Sequence, residues 1–167
     1  MTPSWDLFII LFFVIMGIYG FLLGRGRVLN ILIDCYVGLA VSTAVGGFAF
    51  EYLSKITEIS HSFNVTMFGA KVFVFVAVVF ILIMNKELSG SSDDALSSSI
   101  YTGIYGVLTA GLILYSVFSF MGDIQRVDLF ASSSLAVQVY RYQIVWLVAP
   151  IAVVLVSTIL NRKSSKK

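Results

Sequence analysis

The chain has 167 residues, of which 59% are hydrophobic and only 12% are charged. Soluble domains carry about 25% charged residues, and a soluble monomer with this composition would expose too much apolar surface. The formal net charge is +2, so the composition gives no indication of a nucleic-acid partner. We therefore expect residues 1–167 to form a single membrane domain.

Two apolar stretches joined by a short turn open the chain. Residues 7–23 carry no charge, and a helix of this length spans about 26 Å, most of a hydrocarbon core. Asp6 precedes this stretch where a signal peptide would be basic, so we expect a retained span. Residues 28–50 form the second stretch. The turn between them, at residues 24–27, is Gly-Arg-Gly-Arg, which predicts an antiparallel helical hairpin with the arginines at the aqueous face.

Three further elements follow the hairpin. Residues 51–64 place apolar side chains at helical spacing, which predicts an amphipathic helix lying along the membrane surface. Residues 67–84 form a third apolar stretch with a lone lysine, Lys71, near its start, whose long side chain we expect to extend to the headgroups. A polar, serine-rich loop then leads to a fourth apolar stretch at residues 100–121.

The segment after the fourth stretch mixes polar and apolar residues. Its aromatic residues Tyr140, Tyr142 and Trp146 surround Arg141, and this pattern predicts an aromatic belt at the membrane interface.

The last apolar stretch, residues 144–160, contains Pro150 near its middle, where we expect a kink. The sequence therefore predicts an all-α polytopic bundle with four or five transmembrane helices and one or two interfacial amphipathic helices. The choice between four and five depends on whether this last stretch crosses.

The distribution of basic residues predicts the orientation. With five spans, seven basic residues face one side, namely Arg25, Arg27, Lys86, Arg162, Lys163, Lys166 and Lys167. Four face the other side, namely Lys55, Lys71, Arg126 and Arg141. This asymmetry predicts an N-terminus outside and a basic C-terminal tail in the cytoplasm, where the tail anchors the topology and contacts anionic lipid.

Small residues near four-residue spacing predict where the helices pack. Three helices carry such faces: Gly20 and Gly24 on the first, Gly38, Ser42 and Gly46 on the second, and Gly103, Gly106 and Gly111 on the fourth. We expect these faces to pack inward and to support assembly with further copies or with other membrane proteins.

Asp34 is the one acid within the predicted spans, and counting by four from it leads along the small face of the second helix. Two interpretations stay open because an ionised carboxyl is costly in lipid. In the first, Asp34 lies near the membrane face and is hydrated or paired with Arg25, Arg27 or a loop cation. In the second, it is a protonatable group that lines a path for protons or a solute.

Signatures of enzymes and cofactors are absent from the sequence. It has no phosphate-binding glycine loop, no nucleophile elbow and no HExxH motif. The single histidine, His61, and the single cysteine, Cys35, provide too few ligands for a metal site. We therefore expect a non-enzymatic protein without a cofactor.

Several short motifs resemble the bacterial colicin V production protein (CvpA) family. They are Trp5-Asp6 before the first span, the turn GFLLGRGRVLNIL, and the passage SGSSDDALSSSIYTGIYGVLTAGLIL. Within that passage Asp93, Leu96, Gly103, Gly106 and Gly111 occupy places comparable to the family's, and Ser134, Leu135 and Pro150 resemble its C-terminal Ser-Leu…Pro stretch. The family's turn often continues Arg-Glu, whereas Val28 follows Arg27 here, and its last segment is less apolar.

The resemblance implies a protein of the bacterial inner membrane with a role in colicin V production or export and in envelope maintenance, and no established catalytic residue. Two other functional classes remain open. One is a small transporter or channel in which Asp34 titrates. The other is a holin-like protein or a secretion-complex subunit, as the small size and basic tail suggest.

Overall fold

The computed structural model describes residues 4–60, 66–88 and 99–164, and every regular element within these ranges is an α-helix. The helices are α1 (Trp5–Leu23), α2 (Arg25–Ser60), α3 (Met67–Leu88), α4 (Ser99–Phe120), α5 (Asp123–Ser132), α6 (Ser134–Arg141) and α7 (Gln143–Ser164). Four segments are long and apolar enough to cross a membrane: Trp5–Leu23, Gly26–Lys55, Met67–Asn85 and Thr102–Phe120. The prediction of an all-α bundle with four or five spans is confirmed.

The fifth candidate span is a bent pair rather than one straight helix. Ser134–Arg141 and Gln143–Val156 meet at Tyr142 with a bend of 57°. The apolar stretch predicted at residues 144–160 is thus the second arm of a broken element.

α2 is longer than the sequence predicted. It runs unbroken from Arg25 to Ser60, and a helix of 36 residues is about 54 Å long, against about 30 Å for a hydrocarbon core. Residues 51–60 therefore continue α2 and do not form the separate surface helix expected at residues 51–64, whose last residues lie outside the described ranges. No glycine or proline lies between residues 51 and 60, and Lys55 Nζ pairs with Glu51 Oε1 at 2.9 Å across one turn.

α4 is the central helix of the bundle. In an apolar stretch of 18 residues in α4, 61% of the residues are buried inside the protein, against 11% in the corresponding stretches of α1 and α3. α1 packs mainly against α4, and α2 packs mainly against α3, so the helices of the expected α1–α2 hairpin touch each other only slightly.

The contacts also give the relative directions of the helices. Gly20 of α1 lies against Gly106 of α4, whereas Ile9 shares a cluster with Leu114 and Phe118, so these two helices are antiparallel. We call the end of the bundle where α1 begins and α4 ends the Asp6 end. The opposite end, where α1 ends and α2 and α4 begin, is the Arg27 end.

The α6–α7 pair follows α4 over most of its length. Ser133, just before α6, contacts Asp6 at the Asp6 end. Farther along, the ring of Trp146 lies over Gly111 in the middle of α4. Tyr105 Oη, near the Arg27 end of α4, then donates to the Val153 carbonyl of α7 at 3.4 Å.

Candidate functional site

Asp34 lies inside the bundle. It is about 12 Å along α2 from Gly26, and its exposed fraction is 2%. The neighbouring Cys35 is equally buried, whereas Arg27, two turns earlier on the same helix, is exposed. The Asp34 side chain therefore faces the interior of the bundle and not its outer surface.

The small face of α2 that begins at Asp34 forms the seam with α3. Built on Gly38, a Cβ atom would lie 2.8 Å from Val79 Cγ2, and on Gly46 it would lie 2.5 Å from Lys71 Cγ. Between these glycines, Ser42 Oγ donates to the Lys71 carbonyl at 2.5 Å. The residues of this face are therefore engaged within the chain, and the stem of Lys71 packs across α2.

Glycines also join α1 to α4. A Cβ on Gly20 would lie 2.8 Å from the Thr102 carbonyl oxygen, and the backbone of Gly106 lies against that of Gly20. One turn away, a Cβ on Gly103 would meet the Phe21 ring at 2.5 Å. Small residues here let two helices approach at backbone distance.

Gly24 differs from the other glycines of the predicted faces. Apart from its two chain neighbours, no residue has an atom within 4 Å of where its Cβ would be, and α1 ends at Gly24, whose φ is +80°. Because glycine adopts this conformation without steric cost, Gly24 separates α1 from α2 and does not pack on a neighbouring helix as expected.

α7 is attached to the bundle by aromatic side chains that the sequence analysis did not single out for packing. The Trp146 ring occupies the space over Gly111, and its Nε1 donates to the Val139 carbonyl at 3.0 Å. Tyr36 Oη of α2 donates to the Leu147 carbonyl at 2.5 Å. The Leu147 carbonyl lies in the turn before Pro150, where a proline disturbs the helical hydrogen bonds. Pro150 was therefore the sequence signal that could have indicated a contact with another helix at this point.

Asp6 links the start of α1 to the start of α6. One carboxylate oxygen accepts from Ser133 Oγ at 2.5 Å and from the Leu135 N–H at 3.1 Å, and the other lies 3.4 Å from Ser134 Oγ. Ser133 Oγ in turn accepts from the Ala136 N–H at 3.0 Å. Asp6 and Ser133 therefore cap α6 together, where the helix dipole favours negative charge. The serine run before residue 135 was the sequence signal for a cap, but it did not indicate Asp6 as the partner.

Arg126 holds the short helices against the end of α4. Its guanidinium donates to the Met121 carbonyl at 2.8 Å and to Tyr140 Oη at 2.9 Å, and it lies 5.0 Å from the centre of the Tyr140 ring. Tyr140 and Trp146 thus point into the protein. Only Tyr142 of the expected interfacial belt is exposed, with an exposed fraction of 55%.

The remaining residues singled out from the sequence are the basic residues predicted to set the topology and contact lipid. Arg25 begins α2, and Arg162 and Lys163 lie in the last turns of α7, where the structure describes the backbone. Lys166 and Lys167 lie outside the described ranges. Within those ranges, no group of three or more His, Cys, Asp or Glu side chains is placed to hold a metal ion.

Comparison of the chain with protein-family models, with curated proteins and with solved structures gives no match. Two polar sites stand out among the residues that the structure describes: the buried Asp34 and the junction of Asp6 with Ser133, Ser134 and Leu135, here called the Asp6 junction.

Proposed function

We propose that this protein is a non-enzymatic component of the bacterial inner membrane, with the role that its resemblance to the CvpA family implies. That role is in colicin V production or export and in envelope maintenance, through assembly with further copies or with other membrane proteins. In the proposed orientation, the Asp6 end faces outward and the basic tail lies on the cytoplasmic side.

The observation that carries this proposal is that the motifs of the resemblance meet around α1. Asp6, from the first motif, accepts a hydrogen bond from the Leu135 N–H and lies 3.4 Å from Ser134 Oγ, and both partners belong to the C-terminal Ser-Leu…Pro stretch of the resemblance. Gly20, which begins the turn motif, lies against Gly106 of the third. Motifs that are far apart in the sequence therefore belong to one structural unit, which supports treating the resemblance as a single pattern.

The packing contacts restrict where assembly takes place. Gly38 and Gly46 are covered by α3, and Gly111 is covered by Trp146. Because other helices of the same chain cover these glycines, we expect contacts with other membrane proteins on the outward-facing surfaces. The small-residue faces predicted from the sequence are not accessible for such contacts.

Complementation tests the proposal. The chain is expressed in a colicin V-producing bacterium that lacks its own CvpA, and colicin V release and detergent sensitivity are measured. We expect the wild-type chain to restore both. We expect Asp6→Ala, which removes the acceptor of the Asp6 junction, to restore them poorly, and Asp128→Ala, at an exposed acid of α5, to act like wild type. A wild-type chain that is present in the membrane at normal levels and restores neither property contradicts the proposal.

A second candidate function rests on Asp34. An ionisable side chain buried in a span is a default candidate for a proton or ion pathway, and Asp34 is 2% exposed. In this alternative the protein is a small transporter or channel in which Asp34 binds and releases a proton.

Proton flux into proteoliposomes, followed with an entrapped pH dye, tests this alternative. We expect flux with the wild-type chain, loss of flux with Asp34→Asn, and retained flux with Cys35→Ser, a matched change at the adjacent buried position. Absence of flux in wild type, or equal flux in Asp34→Asn, excludes the titrating role.

A further inference from the structure

α5 has an apolar edge that the protein itself leaves uncovered. Its inner side holds Leu129, which is 5% exposed. On the outer side, Ile124 is 81% exposed and Val127 is 65% exposed. Ile124 is the most exposed large apolar side chain in the part of the chain that the structure describes.

Contacts with neighbouring helices fix the orientation of α5. Arg126 Nη2 donates to the Met121 carbonyl at the end of α4, and Arg126 Nη1 donates to Tyr140 Oη of α6. Leu129 belongs to the buried cluster that also contains Ile9 of α1 and Phe118 of α4. Because these contacts hold the inner side of α5, Ile124 and Val127 are directed outward.

The position of α5 puts this edge level with the ends of membrane spans. α5 begins two residues after Met121, next to the end of α4, and is followed by Ser133, which contacts Asp6 in the first turn of α1. One span therefore begins and another ends beside α5. At that level the hydrocarbon core gives way to the headgroups.

The charges beside the apolar edge fit the same location. At 100° per residue, Ile124 and Val127 lie between Asp123 and Asp128 around the helix. The Asp123 side chain is 98% exposed, and Asp128 is also exposed. An apolar centre with charged borders is the pattern of a helix that lies in the interface with one edge in the acyl region.

We propose that α5 is an interfacial anchor, whose Ile124 and Val127 insert among the acyl chains of the leaflet at the Asp6 end while Asp123 and Asp128 remain among the headgroups. The occupant of the apolar edge is thus the lipid bilayer. Because the borders are acidic, the insertion does not require anionic lipid. The inference depends on the membrane location of the bundle and not on a role in colicin V production.

Site-directed fluorescence tests the inference. Single cysteines replace Ile124, Val127 or Gln125 in a Cys35→Ser background, and each is labelled with an environment-sensitive NBD group. The full chain is reconstituted in phosphatidylcholine vesicles, with and without lipid that carries a quencher on its acyl chain. All three sites are exposed, so the substitutions leave the packed side of α5 unchanged.

We expect blue-shifted emission and strong quenching by the acyl-chain quencher at positions 124 and 127, and water-like emission at position 125, the matched control on the same helix. Water-like emission at positions 124 and 127 overturns the inference. Blue-shifted emission without lipid quenching, together with disulfide cross-linking of Ile124→Cys between molecules, also overturns it, because a second copy would then cover the edge. Replacing part of the phosphatidylcholine by phosphatidylglycerol is expected to leave the quenching unchanged.

Discussion

Gly106 of α4 lies directly against the backbone of Gly20 in α1: a Cβ on Gly106 would lie 3.2 Å from Gly20 Cα and closer still to the Met16 carbonyl oxygen. The atoms that limit the space are backbone atoms, which cannot move aside without shifting a helix. Since α4 is also the helix on which α7 packs, this contact affects the arrangement of the whole bundle.

Gly106→Ala should destabilise the bundle. The added methyl group overpacks the α1–α4 contact, which typically costs about 1–3 kcal/mol in the free energy of unfolding. Unfolding in mixed micelles with increasing denaturing detergent measures this change. Gly47→Ala is the matched control, because Gly47 is a helical glycine whose Cβ position has no atom of another helix within 4 Å. The control should be stabilised by up to about 1 kcal/mol through higher helix propensity. Equal effects of the two substitutions would show that α1 and α4 are not in close contact.

Asp6→Ala should loosen α6 from α1. The change leaves Ser133 Oγ, on a residue that is 2% exposed, and the Leu135 N–H without their acceptor, so we expect the free energy of unfolding to fall. Ser134→Ala removes only the exposed 3.4 Å contact and should cost about 0.5 kcal/mol or less. A double-mutant cycle of Asp6→Ala with Ser133→Ala measures the direct coupling, and additive effects would argue against the hydrogen bond.

Tyr36→Phe should release α7 from α2 near Pro150. It removes the hydrogen bond to the Leu147 carbonyl while the ring remains, at a cost of about 1 kcal/mol. Exchange of the backbone amide hydrogens of residues 147–149 and 151–153 should become faster in this variant. Tyr52→Phe, at a side chain that is 69% exposed, is the control and should leave that exchange unchanged. Unchanged exchange in both variants would mean that the hydroxyl does not hold α7.

The α6–α7 pair should cross the membrane once. Its contacts run from Asp6, past Gly111, to Tyr105, which are successive levels from one end of the bundle to the other. Single cysteines replace Gln125, Ser92 or Ser165 in a Cys35→Ser background and are tested with a membrane-impermeant maleimide. Position 125 should label only from outside, and positions 92 and 165, which lie beyond the described ranges, only from inside. Labelling of positions 125 and 165 from the same side would show that the pair re-enters and that four spans cross.

Much of the bundle was predictable because a bilayer imposes strong local constraints. A span needs a long apolar stretch whose backbone hydrogen bonds are satisfied within its own helix, and both requirements are visible in a linear sequence. The same locality explains the error at residues 51–60: the change from apolar to amphipathic composition was interpreted as a helix boundary, although no glycine or proline lies in this segment and α2 continues to Ser60. Gly24 was identified from the sequence as a structurally important glycine. The spacing of glycines alone did not show whether it packs against another helix or ends α1.

By itself the sequence determined the apolar stretches that form the candidate spans, the membrane class and the small or polar positions that stand out from apolar surroundings, such as Asp34 and Gly106. Only the tertiary structure decided which helices are partners, so that α1 packs mainly on α4 and only slightly on α2. It also decided that Asp6 caps a helix more than 120 residues away, since Asp6 and Ser133 are 127 positions apart. The physical reason is that helix formation in a membrane depends on near neighbours in the chain. The choice of partner depends on close packing and hydrogen bonds between distant residues, and helices that are apolar on nearly every face carry little information about that choice.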